Sequence, residues 1–209
     1  MAYTALLLDF GGVLTTPMVD SWLAFCAREG IDVEAFVNVV VGGVSDPNSM
    51  FAAVEIGRIE LVEFERHLAG LLSEASGRAI HPENLKDRLM ASLKPDERML
   101  DAVRAARAAG CATALLSNSW GPNGYPRAQL DDLFDAVVIS AEVGMRKPDL
   151  EIYLATARAL GRAPQECVFV DDFEGNVRGA DAAGMRGVLH HDTAETIPAL
   201  ASLLGLSLE

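Results

Sequence analysis

A chain of 209 residues, half of them hydrophobic, can bury one full-sized core, or one core carrying a smaller inserted unit. Its 30 acidic against 17 basic residues give a formal net charge of −13 with no basic patch, which excludes nucleic acid as a partner and obliges any anionic substrate to find a local positive site. The first apolar run is too short for a secretion signal or a membrane span, and Cys26, Cys111 and Cys167 fall at no metal-ligand spacing, so a cytoplasmic protein with buried, reduced thiols and no membrane partner is expected.

That first run, Ala5-Leu6-Leu7-Leu8, stops abruptly at Asp9. Aliphatic residues ending in a carboxylate predict a strand covered on both faces, delivering Asp9 to the carboxyl edge of a parallel sheet, where open α/β folds place their ligands. Gly11 and Gly12 follow. Without Cβ atoms, their backbone N–H groups can approach an anion closely. A carboxylate beside such a nest implies a partner between them, either a divalent cation or an electrophilic phosphorus or carbon. The competing reading is a loop-capping aspartate followed by a tight turn.

Residues 18–91 have a different texture. Apolar residues recur at helical spacing (Trp22, Phe25, Cys26; Phe36, Val37, Val40; Leu61, Phe64, Leu68), and Gly30, Gly42-Gly43, Asp46-Pro47-Asn48 and Gly57 divide them into four or five helices. An all-helical segment inserted after the first strand is well placed to cover the Asp9 loop.

Beyond Pro95, helices and strands alternate. A helix is predicted over 96–109 and a strand over 111–116, ending in Ser117-Asn118-Ser119. A strand over 136–139 and a helix over 148–160 follow, then a strand over 167–170 that ends in Asp171-Asp172. A helix over 175–183, a strand over 186–189 and a helix over 193–204 complete the chain. This order predicts an α/β fold with a Rossmann-like, doubly wound parallel sheet and an inserted helical cap. The expected division is a core of residues 1–16 and 92–209 with a cap of residues 17–91.

In a parallel sheet the polar strand ends share one edge, so Asp9, Ser117 and Asp171-Asp172 should converge. Two adjacent aspartates at a buried strand end repel each other unless a cation or a lysine lies between them. Ser117-Asn118 alone reads equally as a strand-ending turn, and Lys147-Pro148 as a surface loop with proline at a helix start.

Taken together, Asp9-Phe10-Gly11-Gly12-Val13, Ser117-Asn118, Lys147-Pro148 and Asp171-Asp172 with Asn176 resemble the four motifs of the haloacid dehalogenase superfamily of hydrolases. The resemblance runs over the whole chain. It is nearest to the branch that holds the N-terminal domain of soluble epoxide hydrolase and bacterial sugar-phosphate phosphatases. It implies a phosphatase of a small phosphorylated metabolite, with Asp9 as the nucleophile that forms an aspartyl-phosphate. Magnesium would be held by Asp9, Asp172 and a backbone carbonyl near Gly11, with Asp171 as a direct or outer partner. Ser117 and the N–H of Asn118 would bind a phosphoryl oxygen, and Lys147 would neutralise both nucleophile and substrate. Gly11 and Gly12 would let the backbone meet the substrate, and Asn176 would buttress the acidic loop.

One position departs from the pattern. Family phosphatases usually carry a second aspartate two residues after the nucleophile, where this chain has Gly11. Loss of that acid and base would forfeit about 10²- to 10⁴-fold in rate. Two alternatives therefore stand beside the phosphatase: a 2-haloacid dehalogenase, whose halide leaves without a proton, and a catalytically weak phosphometabolite-binding or regulatory protein. Among the cap residues, Asp20, Asn38, Ser49 with its turn, and Arg58 offer the available polar texture, and solvent is the expected surrounding for each. Trp120 and Tyr125 either line the entrance or pack against the cap. The four histidines show no ligand spacing, and the oligomeric state is not legible.

Overall fold

The computed structural model of the protein describes residues 3–121 and 124–208. Residues 1, 2 and 209 of the expected core, and the tip of the loop after Trp120, lie outside the described residues. Five strands form one parallel sheet: β1 (Ala5–Leu8), β2 (Ala112–Ser117), β3 (Ala136–Ile139), β4 (Cys167–Asp171) and β5 (Arg186–Leu189). Their spatial order is β3-β2-β1-β4-β5, which puts β1 at the centre. Ala5 pairs with Ala112 and Cys167, and Leu8 with Leu115 and Val170, so the three central strands run in register to the same edge.

The insertion after β1 holds five helices among the described residues, α1 (Met18–Glu29), α2 (Val33–Ser45), α3 (Met50–Glu55), α4 (Leu61–Ser76) and α5 (Leu85–Met90), and a sixth helix precedes β2. The rest of the chain winds through α6 (Glu97–Ala108), α7 (Arg127–Leu133), α8 (Ser140–Val143), α9 (Leu150–Ala159), α10 (Glu174–Ala182) and α11 (Thr193–Leu204). Local capping marks several starts. Asp32, Ser49 and Asp96 accept from the N–H groups of Ala35, Ala52 and Met99 at 3.0, 3.2 and 3.0 Å.

Side-chain alternation along β1 splits the core into two layers. Leu6 and Leu8 face Met99 and Val103 of α6 and Leu200 of α11, while Ala5 and Leu7 share a cluster with Ile152 and Tyr153 of α9 and Ala180 of α10. The sheet is therefore doubly wound, with its central strand wholly buried. A third cluster belongs to the insertion: Phe25, Phe36, Val40, Phe51, Phe64, Leu68 and Leu89 pack together. The chain leaves and rejoins the sheet by adjacent segments, with Thr15 bridged antiparallel to Pro95 and the Asp96 N–H donating to Leu14 at 2.9 Å.

Some boundaries differ from the predicted ones. The helix expected over 148–160 begins at Leu150, because the Asp149 N–H closes a turn onto Arg146 at 2.9 Å before the helix starts. The fourth strand runs on to include Asp171. The short helix α7 had no sequence expectation, since Leu130 and Leu133 are the two apolar side chains that it buries and too few to set a period.

In the insertion, Phe64 is wholly buried and its ring lies 4.9 Å from Phe51 and 5.0 Å from Trp120, centroid to centroid. Phe64→Ala should cost about 3–5 kcal/mol of folding free energy, measured by urea denaturation, because the cavity it leaves is walled by rigid rings. A loss under about 1 kcal/mol would show that the insertion does not fold around this residue.

Candidate active site

Three loops at the carboxyl edge of the sheet meet on one lysine. Lys147, between α8 and α9, is 1% exposed, and its Nζ donates to Asp9 Oδ1 at 2.7 Å and to Asp171 Oδ2 at 2.6 Å. Its ammonium also lies 5.3 Å from the centre of the Phe169 ring. Burial alone would lower the lysine pKa, but the carboxylates of Asp171 and Asp9 outweigh it and hold the ammonium above the ordinary range. Burial pushes Asp9 the other way, up to about 6, against the pull of Lys147.

Asp171 is saturated with donors. Besides Lys147, it accepts from the Phe173 N–H at 2.8 Å and from Asn176 Nδ2 at 3.1 Å to each oxygen. Asn176 is itself fixed by its carbonyl, which accepts from the Tyr153 hydroxyl at 2.8 Å. Asp172 turns toward solvent on one side and toward the other carboxylates on the other. Burial of its inner side, then repulsion from Asp9 and Asp171, pushes it up to about 7. One oxygen from each of Asp9, Asp171 and Asp172 lies within 4.8 Å of the others.

Such a cluster can hold a metal ion, and its donor set fits a hard divalent cation. Burial first, and then repulsion from neighbouring carboxylates, raises Asp9 and Asp172, and a cation would offset both. Asp171 is already engaged by Lys147, Asn176 and the Phe173 N–H, so of the three carboxylates that could hold an ion Asp9 and Asp172 have the more open oxygens. Gly12 makes their approach possible. It has φ +78°, and a Cβ built there would collide with the Asp172 carboxylate.

The second strand end supplies hydroxyls and an amide. Ser117 is 2% exposed, and its Oγ lies 2.9 Å from the Tyr125 hydroxyl. Asn118 grips the backbone of Lys147 from both sides, accepting its N–H at 2.9 Å and donating to its carbonyl at 3.0 Å. Of the two aromatic residues left open by the sequence, Tyr125 stacks edge-on against Phe10 at 5.1 Å and points at Ser117. Trp120 packs into the insertion instead, against Phe51 and Phe64, while its carbonyl accepts from Lys86 Nζ at 2.9 Å.

Three residues close the site that carried no sequence expectation. The Met18 thioether lies over Gly11, 2.9 Å from where a Cβ would stand. Glu55 of α3 is buried at 5% exposure and pairs with Arg146 Nε at 2.8 Å, in a contact not aligned as a hydrogen bond. Arg146 also donates to the Val44 carbonyl at 3.3 Å, so the residue before Lys147 is tied to the insertion twice. One signal was available: Glu55 is a lone carboxylate in the apolar run Met50-Phe51-Ala52-Ala53-Val54. Asp20, Asn38 and Arg58 are exposed, as expected, and Ser49 serves to cap α3. The three cysteines are buried and unpaired. Among the described residues, no helix is long and apolar enough to cross a membrane.

Comparison with known proteins bears on this geometry. A family model described as haloacid dehalogenase-like hydrolase matches residues 3–184. The sesquiterpene phosphatase astK of Aspergillus oryzae is 36% identical over 116 residues, covering 54% of this chain and 59% of that protein. Bifunctional epoxide hydrolase 2 of Mus musculus is 32% identical over 136 residues, covering 59% of this chain and 24% of that protein. The matches thus span less than two thirds of either relative's length. A crystal structure from Bacteroides thetaiotaomicron, described as a HAD family enzyme in complex with magnesium and inorganic phosphate, superimposes with a TM-score of 0.64 at 24% identity, over 90% of this chain and 94% of that one.

Burial raises Glu55 from 4.5 to about 7 although Arg146 pulls it down. A carboxyl raised on folding contributes stability below its unfolded value and loses it as pH climbs through the folded one. Thermal melts of wild type and Glu55→Gln should therefore diverge in the variant's favour as pH rises from 4.5 to about 7. A melting-temperature difference that stays constant across that window would mean that Glu55 titrates as an ordinary carboxylate.

Proposed function

The chain belongs to the haloacid dehalogenase-like hydrolases, and from that premise we propose that it is a magnesium-dependent phosphatase of a small phosphorylated metabolite. In this reading residues 17–91 form a cap over the core built from residues 1–16 and 92–209. The observation that carries the proposal is the lysine shared between Asp9 and Asp171 beside a third carboxylate. A dehalogenase, whose halide leaves without a metal, has no use for a cluster of carboxylates of that kind. The names of the Aspergillus phosphatase and of the magnesium and phosphate complex from Bacteroides point the same way.

Asp9 is the nucleophile. One of its oxygens attacks phosphorus, the bond from phosphorus to the leaving oxygen breaks, and an aspartyl-phosphate forms at Asp9. Attack of water on that phosphorus then releases inorganic phosphate and restores the carboxylate. Lys147 places a buried positive charge against the nucleophile, so that an anion can approach it in a protein of strongly negative net charge. The hydroxyl of Ser117 and the N–H of Asn118 hold a phosphoryl oxygen, and the backbone at Gly11 and Gly12 lies close against the substrate. Asp9 and Asp172, with the Gly11 carbonyl, would hold magnesium, which would neutralise charge on the phosphoryl group. Asp171 acts from behind by fixing Lys147, and Asn176 fixes Asp171.

Position 11 decides which phosphates turn over well. Gly11 brings no acid, and Met18 covers it with a thioether that neither gives nor takes a proton. The leaving oxygen must therefore depart as an anion and collect its proton from water. That favours substrates whose leaving group is already a weak base, such as an acyl phosphate or a sugar 1-phosphate.

A generic aryl phosphate tests the central claim. Turnover should need magnesium, vanish on chelation and return on its readdition, and Asp9→Asn should fall to the background of the assay. Metal-independent release of halide from a 2-haloacid would replace the proposal with a dehalogenase, and binding of phosphate without turnover would replace it with a binding protein. At position 11, Gly11→Asp alone should gain little on alkyl phosphates, because Met18 occupies the space. Gly11→Asp with Met18→Ala should exceed that single variant by about 10-fold or more in kcat, within the range open to a general acid.

A further inference from the structure

A serine hydroxyl has one proton to give and two lone pairs to offer. Ser117 needs that single proton for the phosphoryl oxygen, yet two other acceptors compete for it. One is the Asn118 carbonyl at 3.3 Å, and the other is the Tyr125 oxygen at 2.9 Å. Which way the shorter contact is polarised decides whether Ser117 is free to serve the substrate.

The surroundings of Tyr125 settle its side of the contact. Its ring stands edge-on to Phe10, the residue next to the nucleophile, at 5.1 Å and 63°, which aims the hydroxyl at Ser117. Burial pushes the phenol up to about 12, so it stays an O–H donor over the whole neutral range. A phenol is also a stronger hydrogen-bond donor than an aliphatic hydroxyl, because its oxygen is the more acidic of the two. With the phenol donating, what is left for the serine proton is the Asn118 carbonyl at 3.3 Å, a long contact, or a phosphoryl oxygen.

We infer that Tyr125 is a positioning residue for Ser117: the phenol donates to Ser117 Oγ and thereby directs the serine proton at the phosphoryl oxygen. This rests on the phosphatase reading above, in which Ser117 touches the transferred group. Tyr125 itself touches neither substrate nor metal in this scheme. It acts through the serine, from the loop that follows Ser117, with its ring held by the loop that carries Asp9.

A double-mutant cycle tests the inference on the full chain with magnesium and an aryl phosphate. Wild type, Tyr125→Phe, Ser117→Ala and the double variant are compared by kcat/KM, by inhibition with inorganic phosphate, and by melting temperature. Phe keeps the ring on Phe10 and removes the donor alone. Expected are a loss of about 10-fold for Tyr125→Phe, about 10²- to 10³-fold for Ser117→Ala, and no further loss when Tyr125→Phe is added to Ser117→Ala. Equal losses from Tyr125→Phe in both backgrounds, whether from local packing or from a general loss of fold, would overturn the inference, as would no loss at all. Asp9→Asn separates the two layers. An active Asp9→Asn protein would sink the phosphatase reading, whereas an inactive one with an additive cycle would sink the role of Tyr125 alone.

Discussion

One buried ammonium holds the candidate site together. Lys147 has no access to water, so its charge must be compensated by protein, and Asp9 and Asp171 compensate it at hydrogen-bonding distance. Removing both carboxylates would strand a cation in the interior. The consequence is geometric as much as energetic. The ends of β1 and β4 and the segment before α9 cannot be rearranged separately, and Asn118, gripping the Lys147 backbone, adds the end of β2. Four parts of the chain remote in sequence are referred to one lysine.

The sheet and the convergence of its polar ends were legible because each rests on a local cue with a global consequence. Ala5-Leu6-Leu7-Leu8 could be read as a doubly covered strand without knowing its neighbours, and parallel topology then placed Asp9 with Asp171 and Asp172. The insertion was legible as helix but not as a surface. Met18 and Glu55 matter through what they touch across the junction, and periodicity reports which face of a helix is buried without naming its partner. Arg146 escaped for a related reason: an arginine beside Lys147 looks like any polar loop residue until the carboxylate that pairs with it is placed by the fold of α3.

Gly11 and Gly12 look alike in sequence and differ in space. At Gly12 the missing Cβ is what lets two acidic loops touch, and any side chain would meet the Asp172 carboxylate. At Gly11 the gap is filled from outside by Met18. The cover over Gly11 is apolar, and it comes from the first turn of the inserted helices. In the proposed reaction, chemistry at the leaving group and packing of the inserted helices would be linked through a single thioether.

Trp120 gives the molecule a mechanical property. Its backbone belongs to the loop that follows Ser117 and Asn118, while its indole is seated among Phe51 and Phe64. A rigid tilt of the helical unit would drag this strand-end loop along with it, or else extract a large ring from an aromatic socket. Lever and cargo are the same segment. A tilt of that unit would therefore be felt at the end of β2, where Ser117 stands three residues before the indole.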